Sequence, residues 1–247
     1  MKTPTIDTLL KQIDDAYKIY HLQDTQGKYK SILQRASTRL TYTSNALEWN
    51  TLSEQETSLI INDNISVAGK NLIEIQEAIN HAKAVDYILS LVKDISISFL
   101  WQKELCCIHN IILHDINNEY AGIYRNIPVR IQGSQTILPN YAKVPTLIEQ
   151  WENNLKKSTQ HIVLMAIQAH YDIVTIHPFI DGNGRTARLF MNLILSLRWY
   201  PLISIDPSLR EEYLLSLERY QTKWENEPYM IFMLTIIRDT LLDYTRL

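Results

Sequence analysis

Twelve consecutive residues, His177-Pro178-Phe179-Ile180-Asp181-Gly182-Asn183-Gly184-Arg185-Thr186-Ala187-Arg188, hold a candidate base, a candidate metal ligand, two glycines one residue apart and two guanidiniums. The chemistry open to that set is phosphate handling. The pattern that follows, Leu189 to Leu197, reads as helix, so the glycines stand where a helix begins and its first amides lack intrahelical acceptors. Free amides in a turn that glycine allows to take positive φ make a nest for an anion. Asp181 has the side chain of an N-cap. Arg185 and Arg188 fall three residues apart in the first helical turn, on one face. Cations there oppose the positive end of the helix dipole, and an anion of several charges between the amides and the guanidiniums removes the conflict.

Helices must position this loop. His161 to Ile176 has few polar positions and reads as a central, buried helix. Ile6 to Tyr20 is amphipathic, with Ile6, Leu9, Leu10, Ile13, Ala16 and Tyr17 on its apolar face, and Gly27 separates it from a second helix at about Lys30–Leu47. Gln55 to Ile61 is weakly patterned, and Val67 to Lys83 reads as another helix. Tyr87 to Leu113 reads as two helices, with breaks at Ser96–Ser98 and Lys103-Glu104. Leu209 to Asp243 reads as two more, separated at Glu227-Pro228, where proline suits a helix start. Between them, Asn118 to Pro139 loses the helical period. Val129-Arg130-Ile131 alternates as a strand does, Gly133-Ser134 supplies a turn and Thr136 to Leu138 supplies a return. Periodicity alone makes this a surface loop, because a lone two-stranded ribbon is marginal. Trp151, Trp199 and Trp224 read as core or rim aromatics.

At 247 residues the chain suits one generous domain, or a core with an appendage. Hydrophobic residues at 46% and charged residues at 21% are ordinary globular values, and a net charge of −3 gives no general pull toward nucleic acid or anionic membrane. The N-terminal residues have no apolar signal core, and no run of about 18 apolar residues predicts a membrane span. Cys106 and Cys107 are adjacent and read as reduced thiols, which points to a cytoplasmic protein.

The loop matches the Fic motif, H-x-F-x-D/E-G-N-G-R-x-x-R, at all eight fixed positions. The chain resembles Fic proteins from about residue 90 to 235, including the helices on either side of the loop and Gly122-Ile123-Tyr124-Arg125 with Val129, Ile131 and Pro139. The resemblance implies an all-α, mainly helical fold with a small β-hairpin flap over the active site. It divides the chain into an N-terminal helical region at 1–85, a core at 86–205 with the flap (118–140) and the loop (177–188), and C-terminal helices at 206–247 that pack on the core. It implies a protein adenylyltransferase that moves AMP from ATP to a Ser, Thr or Tyr hydroxyl and releases pyrophosphate. His177 is then the general base and Asp181 the Mg2+ (or Mn2+) ligand. Gly182, Asn183 and Gly184 cradle the α- and β-phosphates through amides and the Asn183 side chain, Arg185 meets the β-phosphate and Arg188 the γ-phosphate. Tyr213 aligns with an aromatic near the adenine, and Val129 and Ile131 face the nucleotide or a target protein, this chain included, that adds a strand to the flap. A zinc site on His177 and Asp181 lacks a third ligand. Monomer and homo-oligomer are equally compatible with the sequence.

A second resemblance lies upstream. Ser44-Asn45-Ala46-Leu47-Glu48, within a helix at about 30–50, resembles the inhibitory segment S/T-x-x-x-E-G/N that precedes the core in one class of Fic proteins. It implies that Ser44 and Glu48 form an autoinhibitory element, with Glu48 pairing Arg188 and blocking the γ-phosphate. Trp49 stands where the family has a small residue, so the chain after Glu48 is expected to leave its helix differently from a glycine-ended one. Asn50, Thr51 and Leu52 follow the family form. Two further readings stay open on the residues. One is hydrolytic removal of AMP from a modified protein, and the other is a nucleotide-binding regulator without turnover. The Doc-type kinase branch has alanine in place of the first motif glycine, and Gly182 argues against it.

Overall fold

The structure is a computed structural model that describes residues 4–23, 29–93 and 101–246. Ten α-helices form its described part: α1 (Ile6–Gln23), α2 (Tyr29–Ala46), α3 (Glu54–Asp63), α4 (Leu72–Lys93), α5 (Trp101–Leu113), α6 (Val144–Lys157), α7 (Ile162–Ile176), α8 (Asn183–Ser196), α9 (Arg210–Lys223) and α10 (Asn226–Thr245). Gly27 and Ser96–Ser98, expected as breaks, lie outside the described residues. Among the described residues, no helix is long and apolar enough to cross a membrane.

The antiparallel pair α7–α8 is the centre. Every residue of α8 except Gly184 is buried, because Leu189, Phe190, Leu193, Ile194 and Leu195 meet neighbours on all sides. α7 packs on one flank, α4 and α5 on another, and α2 rests on α4. α1 lies along α10, so the two ends of the chain close the bundle together. One apolar cluster runs from Leu9 to Leu241, and a satellite of Leu52, Ile60 and Ala78 sits under α3. α4 crosses the expected 85/86 boundary without interruption.

Local chemistry explains the helix ends. The weakly patterned stretch at 54–63 is helical because Ser53 and Glu56 form a reciprocal capping box. Lys103-Glu104, read as a break, lies inside α5. Glu104 is buried there and accepts a hydrogen bond from the Tyr87 hydroxyl of α4, so its polarity is satisfied without breaking the helix. Trp151 is in the core, whereas Trp199 and Trp224 are helix-end residues with φ of 59° and 60° and exposures of 49% and 80%.

The expected β-hairpin is absent. Among the described residues there is no strand, and 118–140 is an irregular segment. A turn does form at Gly133, where the Ser134 amide donates to the Ile131 carbonyl, and half-buried Val129 and Ile131 flank exposed Arg130. The returning limb has other partners. Glu218 of α9 accepts from the Ser134 hydroxyl and the Gln135 amide, and Gln221 accepts from the Thr136 hydroxyl. The Gln135 amide, a group that a ladder would use, is spent on a helix.

Candidate active site

The loop between α7 and α8 is built from its ends inward. His177 caps α7 in the left-handed region (φ 51°), and its amide donates to the Ile173 carbonyl. Arg125, 3% exposed, bonds it to the segment above. The Arg125 Nε donates to the His177 carbonyl at 2.8 Å, its Nη2 to the Pro139 carbonyl at 2.6 Å, and its amide to the Pro178 carbonyl at 2.8 Å. One guanidinium therefore fixes both ends of the 125–139 segment to the loop.

The imidazole is oriented for base chemistry. His177 Nδ1 lies 3.3 Å from the Val174 carbonyl oxygen, which can only accept. The ring proton is therefore on Nδ1, and Nε2 presents its lone pair. Burial, reinforced by the Arg125 charge, pushes the ring's pKa down to about 4, so it is neutral at pH 7.

The helix start differs from the expectation in one respect. The N-cap is Gly182 (φ 72°), with no side-chain cap, rather than Asp181. Asp181 Oδ1 instead accepts from the adjacent Gly182 amide at 2.7 Å, which leaves the carboxylate 69% exposed with Oδ2 3.6 Å from Arg185 Nη2. The Asn183 side chain is also committed elsewhere. Its Oδ1 accepts from the Phe179 amide and its Nδ2 donates to the Phe179 carbonyl, both at 2.9 Å, so it braces the loop. The amides at the start of α8 stay uncapped by any side chain.

Both arginines are buried, each 3% exposed, and each is held by a carboxylate from the N-terminal half. Arg188 donates through Nε to the Ser44 hydroxyl, and through Nη2 to the Ser44 carbonyl and to Glu48 Oε1 (2.7 Å). Glu48 is two-fifths exposed. Burial opposes its charge, but Arg188, then Arg185 and Arg210, outweigh that and hold the carboxyl below its usual range. Gly184 is helical, so its glycine is explained by space rather than φ. A Cβ there would collide with the Glu48 carboxylate and stand 3.0 Å from Arg188 Nη1. Arg185 Nη1 donates to Glu77 Oε1 of α4 at 2.7 Å, while its Nε is a buried donor with no partner.

The end of α2 takes the form that Trp49 was expected to forbid. The Asn50 amide reaches the Asn45 carbonyl and the Trp49 amide the Ala46 carbonyl, which is a Schellman motif with Trp49 at its left-handed position (φ 72°). That conformation costs a non-glycine residue about 1–2 kcal/mol. Arg210 supplies an offset. Its guanidinium lies 4.0 Å over the Trp49 ring, and its Nε donates to the Leu47 carbonyl at 2.8 Å. Beyond it, Asn50 Nδ2 donates to Glu77 Oε2 and Thr51 donates to Glu74, so the segment docks on α4.

Tyr213 is not a platform for a base. It is 2% exposed, with its hydroxyl 2.9 Å from His170 Nε2, and it lies beneath Arg188 as part of a buried Tyr213–His170–Tyr229 chain. Sequence reasoning missed Glu77, Arg125, His109 and Arg210. A glutamate and a histidine one turn apart on one helix, Glu77 and His81, were the available signal for the first.

The bundle and its loop together define an all-helical protein organised around an uncapped, arginine-flanked helix start. Residues 99–195 match the Fic/DOC family. Among curated relatives, the chain is 31% identical over 92% of its length to "Protein adenylyltransferase Fic" of Drosophila yakuba, and equally to that of Drosophila melanogaster. It spans 45% of the length of each of those relatives. Among solved structures, a Fic family protein from Desulfovibrio desulfuricans superposes with a TM-score of 0.83 at 27% identity, covering 98% of this chain and 74% of that one. Fic-1 (aa134 - 508) from C. elegans superposes at 0.85 and 22% identity, covering 96% and 70%, and shares the fold.

Proposed function

We propose that the chain is a protein adenylyltransferase held in check by Glu48. The observation that carries this reading is the uncapped start of α8 with buried Arg185 and Arg188 beside it, next to a histidine that offers Nε2. A triphosphate satisfies the amides, the orphaned Arg185 Nε–H and the positive field at once. The attacking hydroxyl of a Ser, Thr or Tyr side chain loses its proton to His177 Nε2. Its oxygen bonds to the α-phosphorus, the bond from that phosphorus to the bridging oxygen breaks, and pyrophosphate leaves. The helix start stabilises the charge that develops on the phosphates. The half-buried Val129 and Ile131 face the target segment, and the name of the curated relatives agrees with AMP as the group moved.

Magnesium or manganese fits the site in a limited way. Among the described residues, no group of three or more His, Cys, Asp or Glu could hold a metal. The exposed Asp181 carboxylate can hold one only in partnership with phosphate oxygens and water, which suits Mg2+. Such an ion would neutralise charge on the phosphates.

Glu48 occupies the Arg188 guanidinium and the space over Gly184, where the γ-phosphate would lie. A charge-assisted hydrogen bond contributes about 1.5–3 kcal/mol, and the exposure of Glu48 places this pair at the lower end. Glu48→Gly is therefore expected to raise transfer of label from α-labelled ATP to protein by about tenfold. The assay is incubation with Mg2+ and a lysate or the chain itself. An unchanged rate removes the inhibitory role, and ATP binding without label on any protein removes the transferase reading.

A further inference from the structure

His109 of α5 lies fully buried under the loop and touches both of the segments that must meet during transfer. Its Nδ1 accepts from the Gly122 amide at 2.9 Å, and its Nε2 lies 2.9 Å from the Asp181 carbonyl oxygen. An amide can only donate and a carbonyl can only accept, so the ring carries its proton on Nε2. The ring lies flat on Phe179, with centroids 3.6 Å apart and planes within 3°.

The glycines at its two ends show how tightly this is fitted. A Cβ on Gly182 would stand 3.5 Å from the His109 ring edge, and a Cβ on Gly122 (φ 74°) would stand 3.0 Å from the Cys106 carbonyl of the same helix. Gly122 opens the segment that Arg125 then fastens to His177. The start of the flap segment is thus bound to both ends of the loop, to His177 through Arg125 and to Asp181 through His109.

We propose that His109 is a positioning residue for transfer, a strut of fixed length that holds the target-binding segment in register with the Asp181 turn. It touches no substrate, and the proposal rests on the transferase reading. Each ring nitrogen has one job, so the two jobs can be separated. In His109→Asn, the side-chain oxygen falls near the Nδ1 position and keeps the Gly122 end. In His109→Gln, the side-chain NH2 falls near the Nε2 position and keeps the Asp181 end.

Both variants are made in the Glu48→Gly full-length chain. His109→Asn is expected to raise the Mg2+ concentration for half-maximal transfer by about three- to tenfold, the worth of one hydrogen bond, with the target KM unchanged. His109→Gln is expected to do the reverse, raising the target KM by a similar factor at unchanged Mg2+ dependence. Equal losses in both variants that track melting temperature, or no shift in either, overturn the proposal. Two measurements stand apart from turnover. Calorimetry of Mg2+-dependent ATP binding should weaken in the Asn variant and not in the Gln variant. Nitrogen-15 spectra of the unmodified chain should show His109 protonated on Nε2, and a proton on Nδ1 overturns the proposal even where a variant fails to fold. If no label is transferred by any variant, the transferase reading falls, while binding and tautomer still decide His109.

Discussion

Replacing His177 in the Glu48→Gly chain is expected to lower AMP transfer by about a hundred- to ten-thousandfold, with nucleotide binding intact. The size follows from how the ring is prepared. Its Nδ1–H is fixed on the Val174 carbonyl, so Nε2 is the nitrogen that faces outward. A pKa pushed down to about 4 by burial keeps that nitrogen unprotonated at pH 7, and no fraction of the protein waits in the wrong state. Choice of substitute matters, because His177 sits at φ 51° and alanine there adds backbone strain to the lost base. Asparagine tolerates the left-handed region and removes the base alone. His177→Asn and His177→Ala should therefore lose activity alike, while only the alanine variant loses some melting temperature. A His177→Asn chain within tenfold of its parent, still binding ATP, would exclude His177 as the base.

The second large effect is on stability. Between pH 7 and pH 5 the folded state is expected to lose several kcal/mol, lowering the melting temperature by about 10 °C or more. Four histidines drive this, and burial pushes two of them, His109 and His177, down to about 4. His170 is fully buried between Tyr213 and Tyr229, and burial, then Arg188, pushes its pKa down to about 3. His81, also fully buried, is pushed well below its ordinary value by burial and then by Arg188 and Arg185. In the unfolded chain all four titrate near 6.5. Their stabilisation is complete above that pH and is lost as pH falls toward the folded values, at about 1.4 kcal/mol per unit each. Asp172 acts in the opposite direction. Burial raises its carboxyl to about 6, so the folded state gains its proton first and recovers about 1.4 kcal/mol by pH 5. Four losses against one gain leave the net fall. Scanning calorimetry at pH 7, 6 and 5 measures it, and a flat melting temperature would show that the four histidines are not held neutral.

The geometry of the loop was legible because it is local. Twelve residues specify a helix end, a turn and a helix start, and each follows from residue type at fixed spacing. Helix identities were legible for a similar reason, since apolar period and a cap such as Ser53/Glu56 act over a few residues. What could not be read is what a side chain does once a distant helix arrives. Asn183 looked like a phosphate donor, but Phe179 takes both of its polar atoms. Tyr213 aligns with an aromatic near the adenine, but α7 places His170 against its hydroxyl and α10 places Tyr229 on the far side of that imidazole. The Gln135 amide of the expected hairpin goes to Glu218, 83 residues away in sequence. Trp49 failed as a local argument for the same reason. Its strained φ is compensated by Arg210, which no window around residue 49 contains.

Trp49 also has an optical consequence. The indole is 73% exposed, one residue from the carboxylate that covers Arg188, and has a guanidinium 4.0 Å from its ring. Indole emission responds to a neighbouring cation and to water. Departure of the α2 terminus from Arg188 would carry the ring away from Arg210 and change both at once. Trp101 and Trp151 are buried, and Trp199 and Trp224 sit at other helix ends, so they form a steady background. The chain carries its own fluorophore beside the Glu48–Arg188 contact that a nucleotide is proposed to displace, and no external dye is needed to watch it.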